Sequence, residues 1–144
     1  MMRRVALIAA LASAWLITSA MPAAAAGCIR FSAAQFNTPG VDSPVTNTKL
    51  NGEWVRIHSY CSARAVIGGW KIHDYHTNHT YIFPAGHAIA AGGSITLYTG
   101  KGTTTSARKY WGLSNYVWNN SCPEKAYLRT AGGVLRATYN PLHC

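Results

Sequence analysis

Residues 73–84 read HDYHTNHTYIFP and place three histidines and an aspartate within seven positions: His73, Asp74, His76 and His79. Imidazole and carboxylate donors at that density suggest a metal ion that activates water, which makes a metal-dependent hydrolase one reading. A zinc ion needs three or four donors converging from fixed positions. Here His73 and Asp74 end one strand-like run, His76 lies in the turn YHTN and His79 opens the next run. They converge only if the turn folds back on itself, so a polar turn between two strands is the stronger reading. No cofactor is expected.

Other chemistry is poorly supplied. TGKGTTT has the look of a phosphate loop, but the frame GxxxxGK needs glycine at position 95 and Ser or Thr at 102, where Ile95 and Gly102 stand. Its amides near Gly100 to Gly102 leave at most a weak anion contact on a flexible loop. Glycoside hydrolysis needs two carboxylates across a cleft. The chain has only Asp42, Glu53, Asp74 and Glu124, on separate segments, and no GxSxG. The residues propose no catalytic centre, and the expectation is a non-enzyme.

The better leads are cations and aromatics. KYWGLSNYVWNN gathers Tyr110, Trp111, Tyr116 and Trp118 beside Arg108 and Lys109. Aromatic rings next to cations stack on sugars or bases and attract phosphates. A second lead is an outward row: with Val55, Ile57, Trp70 and Ile72 facing a core, Arg56, His58, Lys71 and His73 share the wet face, and Arg129 and Arg136 extend it. The expected ligand contacts are therefore Arg56, Lys71, Arg129, Arg108, Lys109, Tyr110 and Tyr116.

These side chains must be carried by a small exported domain. MMRR, the apolar run VALIAALASAWLI and the small residues PAAAA are laid out as a secretory signal peptide over residues 1–26. The apolar run is too short for a permanent span, which takes about 20 residues. AAGC distantly resembles a lipoprotein box in which Cys28 would be lipidated, but Ala25 stands where a larger aliphatic residue is usual, so soluble secretion is the reading taken. Residues 27–144 make one domain. Removing Arg3 and Arg4 from 13 Lys+Arg leaves 11 against 4 Asp+Glu, an excess of +7 that favours anionic partners.

All four cysteines follow the leader, and in an exported chain an even count points to two disulfides. Three pairings are open. The favoured one joins Cys28 to Cys144 at the chain ends and Cys61 to Cys122 between loops.

The body of the chain alternates with period two. CIRFSAAQF, EWVRIHSY, AVIGGWKIHD, TYIFP, SITLYTG, AYLRT and VLRATY read as short strands separated by turn residues, with Ile95 and Leu97 facing inward and AGG joining the last two as a hairpin. The fold class is all-β, an antiparallel sandwich of two sheets.

LNGEWVRI, IGGWKIHD, HTYIFPAG, AAGGSITLYTGKGTTT, YWGLSNYVWNN and AYLRTAGGVL follow one another in an order and spacing that resembles the lamin tail domain in its exported bacterial form, over residues 49–136. The resemblance implies an immunoglobulin-like sandwich that serves as a binding or attachment module without catalytic residues. It also implies core positions for Trp111 and Trp118. Two departures, SCPEK after VWNN and Ser59-Tyr60-Cys61, both fall beside cysteines and favour the Cys61–Cys122 bridge. The expectation is a secreted extracellular monomer that binds an anionic polymer, nucleic acid or acidic cell-wall polysaccharide. The alternative is a structural module that docks another secreted protein.

Overall fold

The computed structural model describes residues 27–76, 78–120 and 123–141. Its strands are β1 (Ile29–Gln35), β2 (Trp54–Ser59), β3 (Ala65–Val66), β4 (Lys71–His73), β5 (Thr80–Ile82), β6 (Ala88–Ile89), β7 (Ser94–Tyr98), β8 (Arg108–Tyr110), β9 (Ala126–Arg129) and β10 (Leu135–Tyr139), with one short helix, α1 (Asn47–Leu50). A first sheet has the order β1-β2-β7-β8, a second has β10-β9-β4-β5, and β3-β6 form a small third pair. Among the described residues no helix is long and apolar enough to cross a membrane.

Alternation drives this arrangement. Along β2 every second residue is buried, and Val55 and Ile57 are fully inside. Ile95 and Leu97 on β7 join them, and from the second sheet Ile72, Leu128 and Ala126 face them across one continuous core. Burying each such aliphatic side chain stabilises by about 1.5–3 kcal/mol, and a one-residue slip would turn the whole set outward. Phe36 stacks on Trp118 at 4.5 Å, and Trp111 meets Trp118 edge-on, so those tryptophans close one end of the core as the resemblance implied. The β9–β10 hairpin turns at AGG, with Gly133 at φ +86°.

The fold departs from the sequence reading in four places. AVIGGWKIHD is not one strand: it breaks at Gly68-Gly69 into β3 and β4. Pro84 has no N–H to continue the opposing ladder, and a side chain on Gly68 would meet the amide nitrogen of Gly86 at 2.7 Å. Strand β8 begins one residue before KYWGLSNYVWNN, ends at its Tyr110 and pairs parallel to β7, an exception in an otherwise antiparallel sandwich. Helix α1 interrupts the connector, with the Thr46 hydroxyl capping it. The GKG loop is pinned rather than free: Lys101 N–H donates to Asn47 Oδ1 at 2.7 Å, and its carbonyl accepts from the Asn47 and Asn51 amides. That amide is therefore taken and not open to an anion.

The disulfide pairing is also corrected. Cys28 is bonded to Cys61, so neither the Cys28–Cys144 nor the Cys61–Cys122 bridge forms. The β1–β2 register sets Ile29 opposite Ser59, and Tyr60 N–H donates to the Cys28 carbonyl at 2.8 Å. The next residue, Cys61, then comes within 5.1 Å of Cys28 between Cα atoms, inside the range a bridge requires. Cys122 and Cys144, like residues 1–26 expected to form a leader, lie outside the described residues.

Three of the four acids are used inside the fold. Glu53 is 1% exposed, and its carboxylate accepts from the Thr99 hydroxyl and the Val117 N–H, both at 3.1 Å. Glu124 accepts from the amides of Tyr75, Asn119 and Lys125. Asp74 accepts from the amide and Nδ1 of His79. Burial, working against those hydrogen bonds, pushes the Glu53 carboxyl up from 4.5 to about 7.

Two outcomes are expected. Peptide mapping without reduction yields a Cys28–Cys61 cross-link, and Cys28→Ser with Cys61→Ser costs about 2–5 kcal/mol in urea denaturation; a Cys61–Cys122 peptide would refute the pairing. Folded Glu53 holds its proton to about pH 7 while the unfolded chain releases it near 4.5. Its contribution is therefore complete below pH 4.5 and declines as pH rises to about 7, by roughly 3 kcal/mol. Subtracting the stability–pH curve of Glu53→Gln from that of the wild type should isolate this decline, and parallel curves would count against it.

Candidate functional site

The histidine turn does not assemble. His73 points outward from β4 by alternation, yet it is only 6% exposed because the Tyr127 ring stacks on it at 5.0 Å. Its Nδ1 faces the Asp74 carbonyl at 2.8 Å and its Nε2 accepts from Arg129 Nε at 3.0 Å, so both nitrogens are engaged. Asp74 is buried and pairs with His79, while His76 is exposed and packs edge-on against Tyr75. Among the described residues no group of three or more His, Cys, Asp or Glu is arranged to hold a metal ion.

The expected cationic face divides into two. Arg56 lies on β2 in the first sheet, whereas Lys71 and Arg129 lie on β4 and β9 in the second. Each points away from the core, so they occupy opposite outer faces of the sandwich. Identical alternation in two strands says nothing about whether they share a sheet, and this is why the row does not hold together. Arg136 falls at the bulge of β10 and is half-buried. Lys109 departs further: it pairs with Leu97, faces inward at 4% exposure and gives Nζ to the Thr105 carbonyl. Burial lowers its pKa, and it offers no surface charge. Tyr116 is half-buried, with its hydroxyl donating to the Asp42 carbonyl at 3.2 Å.

What the fold brings together is the outer face of the first sheet. Register sets Trp54, Tyr98 and Tyr110 side by side across β2, β7 and β8, and Arg56, Thr96 and Arg108 in the adjacent row. Arg30 opposes His58 in the row beyond, and His58 Nδ1 meets the Ser94 hydroxyl at 2.8 Å. Tyr98 and Tyr110 stack at 5.3 Å. A side chain on Gly102 would strike the Tyr110 ring, so the GKG loop lies against it. The Arg56 guanidinium sits 5.0 Å over the Trp54 ring and donates Nε to Thr96 Oγ1 at 3.0 Å.

This geometry makes a surface rich in donors. The contact with the Trp54 ring and the Thr96 bond hold Arg56 in place and leave its terminal nitrogens without a protein partner among the described residues. A fixed planar fork suits bidentate contact with phosphate or carboxylate. Arg108 flanks Thr96 from the other side, about 10 Å away at two strand spacings. No carboxylate answers these charges: Glu53, Asp74 and Glu124 are buried, and Asp42 is on the connector accepting from the Asn120 amide. Because the rings lean on one another, the face presents edges, hydroxyls and N–H groups rather than open stacking platforms. Trp54 and Tyr98 were missed as site residues. The available signal was a tryptophan on the wet side of the alternating run EWVRIHSY.

Two shallow hollows elsewhere supply no acid–base pair. One lies by α1 beside Lys101 and Leu113, the other between β6 and β7, and neither is lined by carboxylate, histidine or cysteine. No curated protein matches the chain. The Lamin Tail Domain family, a family of non-enzymatic immunoglobulin-like modules, matches residues 22–142. Together with the all-β sandwich, that match shows that this chain belongs to the lamin tail domain family.

Proposed function

We propose that this lamin tail domain is a secreted, non-catalytic module that captures an extracellular anionic polymer, nucleic acid or acidic cell-wall polymer, on the outer face of its first sheet. One observation carries the reading: Arg56, held by Trp54 and Thr96, shares with Arg108, about 10 Å away at two strand spacings, a face without a carboxylate side chain. Exposed cations draw a polyanion by releasing its counterions, and preorganised arginine adds geometry to that attraction. The hydroxyls of Tyr98 and Tyr110, without a hydrogen-bond partner among the described residues, give further donors along the same face. Export is supported by the basic head, apolar run and small residues of 1–26, and by a disulfide, which persists in oxidising compartments.

The test uses the purified protein with its disulfide intact, against single-stranded DNA and a glycerol-phosphate polymer. Contact with two or three phosphates gives a log–log salt slope of roughly −1.4 to −2.1. Arg108→Gln should flatten that slope by about 0.7. Arg56→Lys keeps the charge and should keep the slope while weakening binding severalfold, because the fork is lost. Binding indifferent to a tenfold rise in salt, or equal affinity in the Arg56→Gln/Arg108→Gln protein, would end the proposal.

A further inference from the structure

The outer face of the second sheet carries a cation pair that the first face does not absorb. Lys71 on β4 and Arg129 on β9 are direct cross-strand partners, with Ile82 on β5 and Leu135 on β10 at either end of the row. Like charges directly opposite each other destabilise a sheet. Asp74, three residues after Lys71, is buried and already paired with His79, so among the described residues no carboxylate side chain on the face neutralises them.

Arg129 is held in place. His73 Nδ1 faces a carbonyl, which can only accept, so the ring proton is on Nδ1 and Nε2 carries a lone pair. That lone pair accepts from Arg129 Nε at 3.0 Å, and Arg129 Nη1 donates to the Gly133 carbonyl at 3.0 Å. Of the five guanidinium donors, these two are taken and three remain, beside a Lys71 ammonium that has no protein partner among the described residues. The ring that holds the guanidinium is itself clamped by Tyr127.

We propose that Lys71 and Arg129, with His73 as the positioning residue, form a second phosphate-binding site. Its ligand is the phosphodiester group of the same class of polymer, so the inference rests on the capture proposed above. The two sites face away from each other across two sheets packed about 10 Å apart. A short segment reaches one of them only. One domain therefore ties two segments together and acts as a cross-link, not only as an anchor.

Oligonucleotides of about six bases, near the lower end of what one binding face occupies, are labelled with donor or acceptor dyes and mixed with the protein. The expected result is two oligonucleotides per chain with energy transfer between them. Lys71→Gln/Arg129→Gln should bind one, without transfer, at an affinity within about twofold of the first site. His73→Leu should weaken the second site about tenfold and leave the first unchanged. His73→Gln, whose amide oxygen can take the Nε proton, should restore most of that loss. Lys71 and Arg129 lie on the outer face, so their double variant tests the site even where His73→Leu fails to fold. Repeating the mixture with glycerol-phosphate polymer, read as turbidity, separates the two sources of phosphodiester. One oligonucleotide per chain, lost on changing Arg56 and Arg108 alone, overturns the second site and leaves the first standing. No binding of either polymer overturns both.

Discussion

Glu53 sits immediately before β2 with its carboxylate shared between the Thr99 hydroxyl, just past the end of β7, and the Val117 amide. Its backbone carbonyl takes the Thr99 N–H as well, at 3.2 Å. Burying a carboxylate without a cation costs several kcal/mol unless hydrogen bonds compensate, and here the donors come from two other segments that must therefore be in place. The same contact fixes where β2 starts against where β7 ends. Trp54 and Tyr98, the next residues inward along each strand, are aligned by it, and the row that supports Arg56 follows from that alignment.

The placement of the acids also sets the charge of the surface. A chain with only four carboxylates has little to neutralise its cations, and three of those four are turned inward to hold loops. The remaining exterior is positive by subtraction. Arginines at Arg56 and Arg129 are each fixed by a ring and a hydrogen bond, Arg56 through Trp54 and Thr96, Arg129 through His73. Side-chain entropy that a mobile lysine would lose on binding is already lost in such a group, which favours a ligand that presents paired oxygens.

Much of the fold was legible because burial imposes period two on strands. EWVRIHSY, SITLYTG and the AYLRT–VLRATY hairpin appear where alternation placed them, and Val55, Ile57, Ile72 and Leu97 point inward. Strand β8 was not legible, since RKY has one inward residue, Lys109, and that residue is a cation. The histidine turn was readable as a turn, but not the reason its histidines are occupied. Arg129, on a strand 56 positions further along, reaches His73 only through sheet pairing.

Residue type and local period alone set the inside and outside of most strands, β8 excepted, together with the scarcity of acids and the family likeness. Tertiary structure decided which strands lie side by side. That choice bonded Cys28 to Cys61, put Arg56 and Arg129 on opposite faces, drew Lys109 inward and set Trp54 beside Tyr98. Alternation tells a side chain which way to point from its own strand. Only hydrogen-bonded register, which joins residues far apart in the chain, tells it what stands next to it.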